Sequence, residues 1–128
     1  MVVGVGIDIA SVARFDRSLR RFGAKMVARI LSVAERDALP QHPRLSAQHL
    51  AGRFAIKEAA AKALGDLSAI GWHDIQVLLD PMGTPKLMLH GIAAKRAELR
   101  RVSRTFVSLS HDAGIAAAVV VLESLGDT

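Results

Sequence analysis

Apolar and polar positions along the chain follow two different periods. Val2 to Ile9 is β-branched with interleaved glycines, which predicts a buried strand with Asp8 at its end. Gly4 and Gly6 mark places where another backbone approaches closely. Past Ser11 the period changes. Val12, Phe15, Leu19 and Phe22 recur at helical spacing, with Ser11 as N-cap and Gly23 as a stop. Arg14, Arg17 and Arg21 fall on the opposite face of that helix. A short helical piece carries Lys25 and Arg29. Ser32-Val33-Ala34-Glu35 has capping-box spacing and predicts a helix ending before Pro40, with Gln41 to Leu45 as a loop. Ser46 then caps a long helix from Ala47 to Leu64, with Leu50, Phe54, Ala61 and Leu64 as its apolar stripe and Gly65-Asp66 as its end.

The second half reads as two hairpins around a helix. Ile75 to Leu79 and Lys86 to Leu89 are strands joined by the turn Asp80-Pro81-Met82-Gly83-Thr84-Pro85. Gly91 to Arg101 is a short helix dense in Lys and Arg. Phe106 to His111 and Ile115 to Leu122 are strands around Asp112-Ala113-Gly114. The order strand, helices, hairpin, helix, hairpin predicts an α+β fold with a small antiparallel sheet packed on a long central helix. The 128 residues fit one domain, 1–128.

Composition narrows the chemistry. Cysteine is absent, which excludes disulfides, thiolate catalysis and zinc-thiolate sites and fits a cytoplasmic protein. No signal peptide is visible, and the longest late apolar run, Ile115 to Leu122, is too short to span a bilayer, so no membrane partner is expected. The net charge of +5 predicts an acidic partner. Nucleic acid is disfavoured among these, because one Trp, four Phe and no Tyr leave little to stack on bases. A 51% hydrophobic content in so short a chain points to apolar surface buried between subunits.

The candidate chemistry is concentrated in Arg53-Phe54-Ala55-Ile56-Lys57-Glu58-Ala59-Ala60-Ala61-Lys62-Ala63. Glu58 and Lys62 are one turn apart on one face, shared with Ala51 and Ala55. Taken alone they are a solvated ion pair. With Asp8 at the strand end, Glu58 supplies the second carboxylate for a hard cation such as Mg²⁺. In Ser108-Leu109-Ser110-His111, alternation places the two serines on one face and Leu109 and His111 on the other. No nucleophile elbow accompanies them, so His111 is a candidate anion ligand or acid/base and not a triad member. The arginine face of the first helix suits an acidic helix of a partner protein, since no Asp or Glu lies between Asp16 and Glu35. The basic segment Lys95, Arg96, Arg100, Arg101 and Arg104 has no assigned role.

Taken in order, Gly6-Ile7-Asp8, Arg14-Phe15, Arg53 to Ala63, Gly83-x-Pro85 and Ser108-Leu109-Ser110-His111-Asp112 resemble the holo-acyl-carrier-protein synthases, the short trimeric class of 4′-phosphopantetheinyl transferases. The resemblance covers essentially the whole chain. It implies transfer of 4′-phosphopantetheine from coenzyme A to a serine of an apo-acyl carrier protein, or of a carrier domain in a large synthase. Adenosine 3′,5′-bisphosphate would be released, in fatty acid biosynthesis. It implies a homotrimer with sites between subunits and Mg²⁺ as cofactor, held by Asp8 and Glu58. Lys62 would join these two as a catalytic residue on the leaving phosphate. Coenzyme A would meet Arg53, Lys62, Gly83, Pro85, Ser110 and His111, with His111 favoured for the 3′-phosphate and the space beside Ala51 and Ala55 open to it. Glu58, or a water it orients, would be the base, and Arg14, Arg17 and Arg21 would receive the carrier helix. One departure stands out: the family's Gly-x-Gly after Lys62-Ala63 is replaced by Leu64-Gly65-Asp66-Leu67-Ser68.

Overall fold

The computed structural model describes residues 1–65 and 68–126. Asp66 and Leu67, within the departure from Gly-x-Gly, lie outside the described residues. The chain runs β1 (Val2–Ser11), α1 (Val12–Phe22), α2 (Ala24–Ile30), α3 (Val33–Arg36), α4 (Pro43–Leu64), a 3₁₀ turn (Trp72–Asp74), β2 (Ile75–Leu79), β3 (Pro85–Leu89), α5 (Gly91–Leu99), β4 (Arg104–Asp112) and β5 (Ile115–Glu123). The α+β fold is as expected, but the strands form two sheets. One is three-stranded in the order β1-β5-β4 and the other is the β2-β3 hairpin, both antiparallel.

Helix α4 is the centre of the molecule. It starts at Pro43 and not at Ala47, because Pro43 takes the first helical position, where its fixed φ and missing N–H cost nothing. The cap is His42, whose Nδ1 accepts from the Arg44 N–H, and not Ser46. The sheet covers one side of α4 and α1 the other. The helix is therefore buried nearly all round, not along a single stripe, and 13 of its residues are buried. Ala51 and Ala55 are among them, both with no exposed surface. This corrects the expectation that they border an open space for coenzyme A, because their methyl groups face the core of the same chain.

Gly4 and Gly6 explain how β1 reaches the helix. A Cβ on Gly6 would stand 1.8 Å from the Ala59 carbonyl oxygen, and one on Gly4 2.3 Å from that of Ala63. Backbone cannot yield as a flexible side chain can, so only glycine allows this approach. At the far end of α4, Gly65 adopts the left-handed conformation, φ 89°, and closes the helix. Arg96 of α5 and Arg100, which caps it, satisfy the last carbonyls: Arg96 Nε donates to Leu64 O at 3.0 Å and Arg100 Nη1 to Ala63 O at 2.7 Å. Arg100 also donates to Val3 O, tying the start of β1 to the end of α4. This gives two of the five residues in the basic segment a task that the sequence did not reveal.

Strand β1 is not buried on both sides as expected. Gly6 and Ala10 face the helix, while Val5, Ile7 and Ile9 are 61–66% exposed. Register sets them in rows across the outer face: Val5, Val121 and Phe106; Ile7, Val119 and Ser108; Ile9, Ala117 and Ser110. The β4–β5 turn is Ala113-Gly114 with φ values of 50° and 76°, a two-residue turn whose positive φ values suit the hairpin twist.

Candidate functional site

The site is built on the inner face of β1 and the exposed strip of α4. Asp8 projects toward the helix, where Lys62 Nζ donates to its Oδ1 at 3.1 Å and to the Ile7 carbonyl oxygen at 3.0 Å. Lys62 therefore pairs with Asp8, and among the described residues it forms no ion pair with Glu58. The i,i+4 pair expected from spacing gives way because β1 brings a carboxylate and a carbonyl to the same ammonium. Glu58, one turn before Lys62, accepts instead from the Trp72 indole N–H at 2.8 Å. Asp8 and Glu58 thus both border Lys62. Among the described residues each carboxylate keeps a second oxygen that accepts no hydrogen bond.

Beneath this surface lies a buried ion pair. Lys57 Nζ donates to Glu35 Oε1 at 2.7 Å and to the Trp72 carbonyl oxygen at 2.9 Å, and neither side chain reaches solvent appreciably. Ser32 N–H donates to the same Glu35 oxygen, and Val77 N–H to its Oε2, both at 2.9 Å. The expected capping box is therefore present, and Glu35 also anchors α4 and β2. Burial draws the Lys57 ammonium below its ordinary value, against the opposing pull of Glu35. Burial likewise lowers Arg53, which is only 8% exposed and again opposed by Glu35. Arg53 thus sits largely inside the chain and does not line the hollow next to His111.

That hollow, of about 320 Å³, lies toward the N-terminal end of α4, lined by Arg44, Gln48, His111 and the β4–β5 turn. His111 Nε2 lies 3.3 Å from the Gln48 carbonyl oxygen, and Gly52 leaves room for the ring, since a Cβ there would meet Nε2 at 3.2 Å. Ten residues separate Gln48 from Glu58, about 15 Å along the helix axis. Asp8 and His111 lie on the two opposite edge strands of the sheet. Ser110 points to the outer face, away from His111, as alternation requires. Gly83, with φ 82°, and Pro85 belong to the β2–β3 hairpin, and a Cβ on Gly83 would touch nothing within 4 Å. One protomer thus brings Asp8, Glu58 and Lys62 together, but leaves His111, Gly83 and Ser110 elsewhere.

His49 is a residue that the sequence left unmarked. Its Nε2 is buried without a hydrogen-bond partner among the described residues, and its pKa falls to about 4. Burial is the main cause; Arg53 and His111 add to it, and Glu35 opposes it. Unfolded chains bind a proton here from about pH 6.5 downward and the folded chain only near pH 4, so this site weakens the fold as pH drops through that window. His49→Gln is expected to reduce the loss of stability between pH 7 and pH 4.5, read as the shift in urea midpoint. An unchanged shift would refute the assignment.

A third feature is a groove of about 460 Å³ between α1, α2 and α4. Its floor is Phe15, Ile30, Phe54 and Trp72, and its basic rim is Arg14, Lys25 and Arg29. The aromatic rings stack in tilted contacts, Phe15 to Phe54 at 5.1 Å and Phe54 to Trp72 at 5.6 Å. Arg17 and Arg21 do not line it; Arg21 lies over the Phe22 ring. Lys25 and Arg29 were visible in the sequence as basic residues, but their convergence with Arg14 needs the fold.

A family model described as the 4′-phosphopantetheinyl transferase superfamily matches residues 4–120. The chain belongs to this superfamily. The holo-acyl-carrier-protein synthase of Solidesulfovibrio magneticus is 47% identical over 96% of this chain and 99% of its own. Among solved structures, the holo-acyl-carrier-protein synthase of Neisseria meningitidis superposes with a TM-score of 0.84 at 35% identity, over 97% of this chain and all of its own. That of Helicobacter pylori, solved in complex with coenzyme A, gives 0.79 at 33% identity, over 93% and 99%. The superfamily's fold is thus the one described above. Among the described residues no helix is long and apolar enough to cross a membrane.

Proposed function

We propose that this chain is a single transferase domain, 1–128, which moves 4′-phosphopantetheine from coenzyme A to a serine of an acyl carrier protein in the cytoplasm, supporting fatty acid biosynthesis. The observation that carries this reading is the meeting of Asp8 with Lys62 beside Glu58, on a member of that superfamily whose relatives are holo-acyl-carrier-protein synthases. The donor set fits Mg²⁺: two carboxylates, each with an oxygen to spare, and no soft ligand. Mg²⁺ held by Asp8 and Glu58 would supply positive charge against the pyrophosphate oxygens.

The chain's own groups divide the remaining work. Lys62 uses two N–H bonds on Ile7 and Asp8 and has a third for the leaving phosphate oxygen. The carrier serine oxygen attacks the phosphorus next to pantetheine. The bond from that phosphorus to the bridging oxygen breaks, leaving adenosine 3′,5′-bisphosphate. The serine proton passes to Glu58 or to a water that Glu58 orients. The basic rim of the groove draws an acidic carrier helix, and the aromatic floor accepts an apolar side chain from it. Arg14 belongs to this surface directly, with Arg17 and Arg21 flanking it and Lys25 and Arg29 extending it.

Coenzyme A binding draws on the separated groups. Arg44 and His111 suit its 3′-phosphate, and Gly83, Pro85 and Ser110 complete the contacts carried over from the family resemblance, with the buried Arg53 adding positive charge from behind. About 15 Å of helix between the His111 hollow and Glu58 is explained if the two halves meet across subunits. The uncovered rows of Val5, Ile7, Ile9 and Phe106 supply an apolar face for a homotrimer.

The test is to incubate the protein with Mg²⁺, coenzyme A and several apo-carriers, and to weigh the carriers by mass spectrometry. A mass gain of one phosphopantetheine group is expected on at least one of them. None on any carrier would refute the reading.

A further inference from the structure

Trp72 is gripped by two consecutive residues of α4. Lys57 Nζ donates to its carbonyl oxygen at 2.9 Å, and its indole N–H donates to Glu58 Oε1 at 2.8 Å. Consecutive helical positions point about 100° apart, so one grip lies in the core and the other at the surface. Glu35 fixes Lys57 from behind. Phe54 packs against the indole at 5.6 Å, and the Arg29 guanidinium lies 5.6 Å from its ring. Little freedom is left to the ring, and while its face belongs to the carrier groove, the transfer steps give its N–H no task.

A glutamate on a helix surface turns freely about its last bonds, and that freedom works against a fixed catalytic geometry. The indole N–H removes it at one oxygen. We propose that Trp72 is a positioning residue: it holds Glu58 Oε1 so that Oε2 faces the site, and the Glu35–Lys57 pair keeps the indole in place. This inference rests on the reading of Glu58 as part of the transfer site. It also explains why a lysine is buried directly before a working glutamate. Lys57 fixes the backbone of the residue whose side chain fixes Glu58.

The chain has one Trp, so its indole N–H gives a single resonance in a ¹H–¹⁵N spectrum. A hydrogen bond to a carboxylate shields that proton from solvent. In Glu58→Ala the resonance should move upfield and exchange roughly tenfold faster or more, in line with a charged hydrogen bond of about 1.5–3 kcal/mol. An unmoved resonance would overturn the proposal, and this measurement does not depend on any Trp72 variant folding. Trp72→Phe keeps the ring and removes the donor. Its kcat should fall about tenfold while KM for coenzyme A stays within about twofold and the urea midpoint barely moves, the pattern of a group that acts on the transition state alone. If Trp72→Phe retains full kcat while Glu58→Ala is inactive, the positioning role fails by itself. If Glu58→Ala also transfers at the normal rate, the site reading fails with it.

Discussion

Lys57→Met is expected to cost about 3–5 kcal/mol of stability, enough to leave so small a domain largely unfolded at physiological temperature. The substitution keeps an unbranched chain one atom shorter and removes the ammonium with its charge and donors. Glu35 is 3% exposed, and would be left as a buried carboxylate facing two backbone N–H groups, with no cation in ion-pair contact among the described residues and only the field of the buried Arg53. The Trp72 carbonyl oxygen would lose its donor as well. An exposed lysine pair would lose a few tenths of a kcal/mol in the same exchange, so the size of the effect reports burial. Urea denaturation followed by circular dichroism measures it. Adding Glu35→Gln to Lys57→Met should recover part of the loss, because the uncompensated charge goes with it, and the double variant should lie well above the sum of the singles. Purely additive losses, or a single loss under about 1 kcal/mol, would show that the pair is not the anchor described.

Glu58→Ala should do the reverse. Its side chain is half-exposed and its one hydrogen bond among the described residues is with Trp72, so the urea midpoint should shift little. Transfer to the carrier should fall roughly a hundred- to a thousandfold or more, since losing a ligand and an orienting group removes several kcal/mol of charge stabilisation. Initial rates by mass spectrometry of the carrier decide the matter, with Lys95→Ala as a surface control. A Glu58→Ala protein that transfers within a few-fold of the parent chain would remove the central residue from the proposed mechanism.

These two neighbours show where sequence reasoning reached its limit. The fold class, Ser11 and Ser32 as caps, the stop at Gly65 and both hairpins were legible because each rests on a local rule of period or turn chemistry. Asp8, Glu58 and Lys62 were legible as a set because they stand in a recognisable order. Their wiring was not. Spacing on a helix pairs Glu58 with Lys62, and only the arrival of β1 redirects Lys62 to Asp8. Nothing local separates Lys57, with no exposed surface, from Lys62, which stands at the surface five residues later, because the partner that permits its burial is Glu35 on another helix. Trp72 carries no signal of its own in the sequence for the same reason. Pro43 was misread as loop because proline usually interrupts helices, although the first position tolerates it. The outer face of β1 reads as core because its apolar residues have no cover within one chain.

The pairing of β1 with β5 also bears on how the protein is made. Asp8 lies opposite Ala118, and Val2 opposite Glu123. The strand that carries the first candidate ligand is therefore synthesised well ahead of β5, its strand partner among the described residues. Until Ile115–Glu123 has been synthesised, Val5, Ile7 and Ile9 belong to an unpaired apolar segment, and contacts so distant in sequence form slowly. Helix α4 can form earlier, but β1, which carries the carboxylate opposite Lys62, is held in its sheet only once β5 has been made. A nascent chain stalled before β5 thus holds Asp8, Glu58 and Lys62 all three, but lacks the strand that pairs with β1 and fixes Asp8 against the helix.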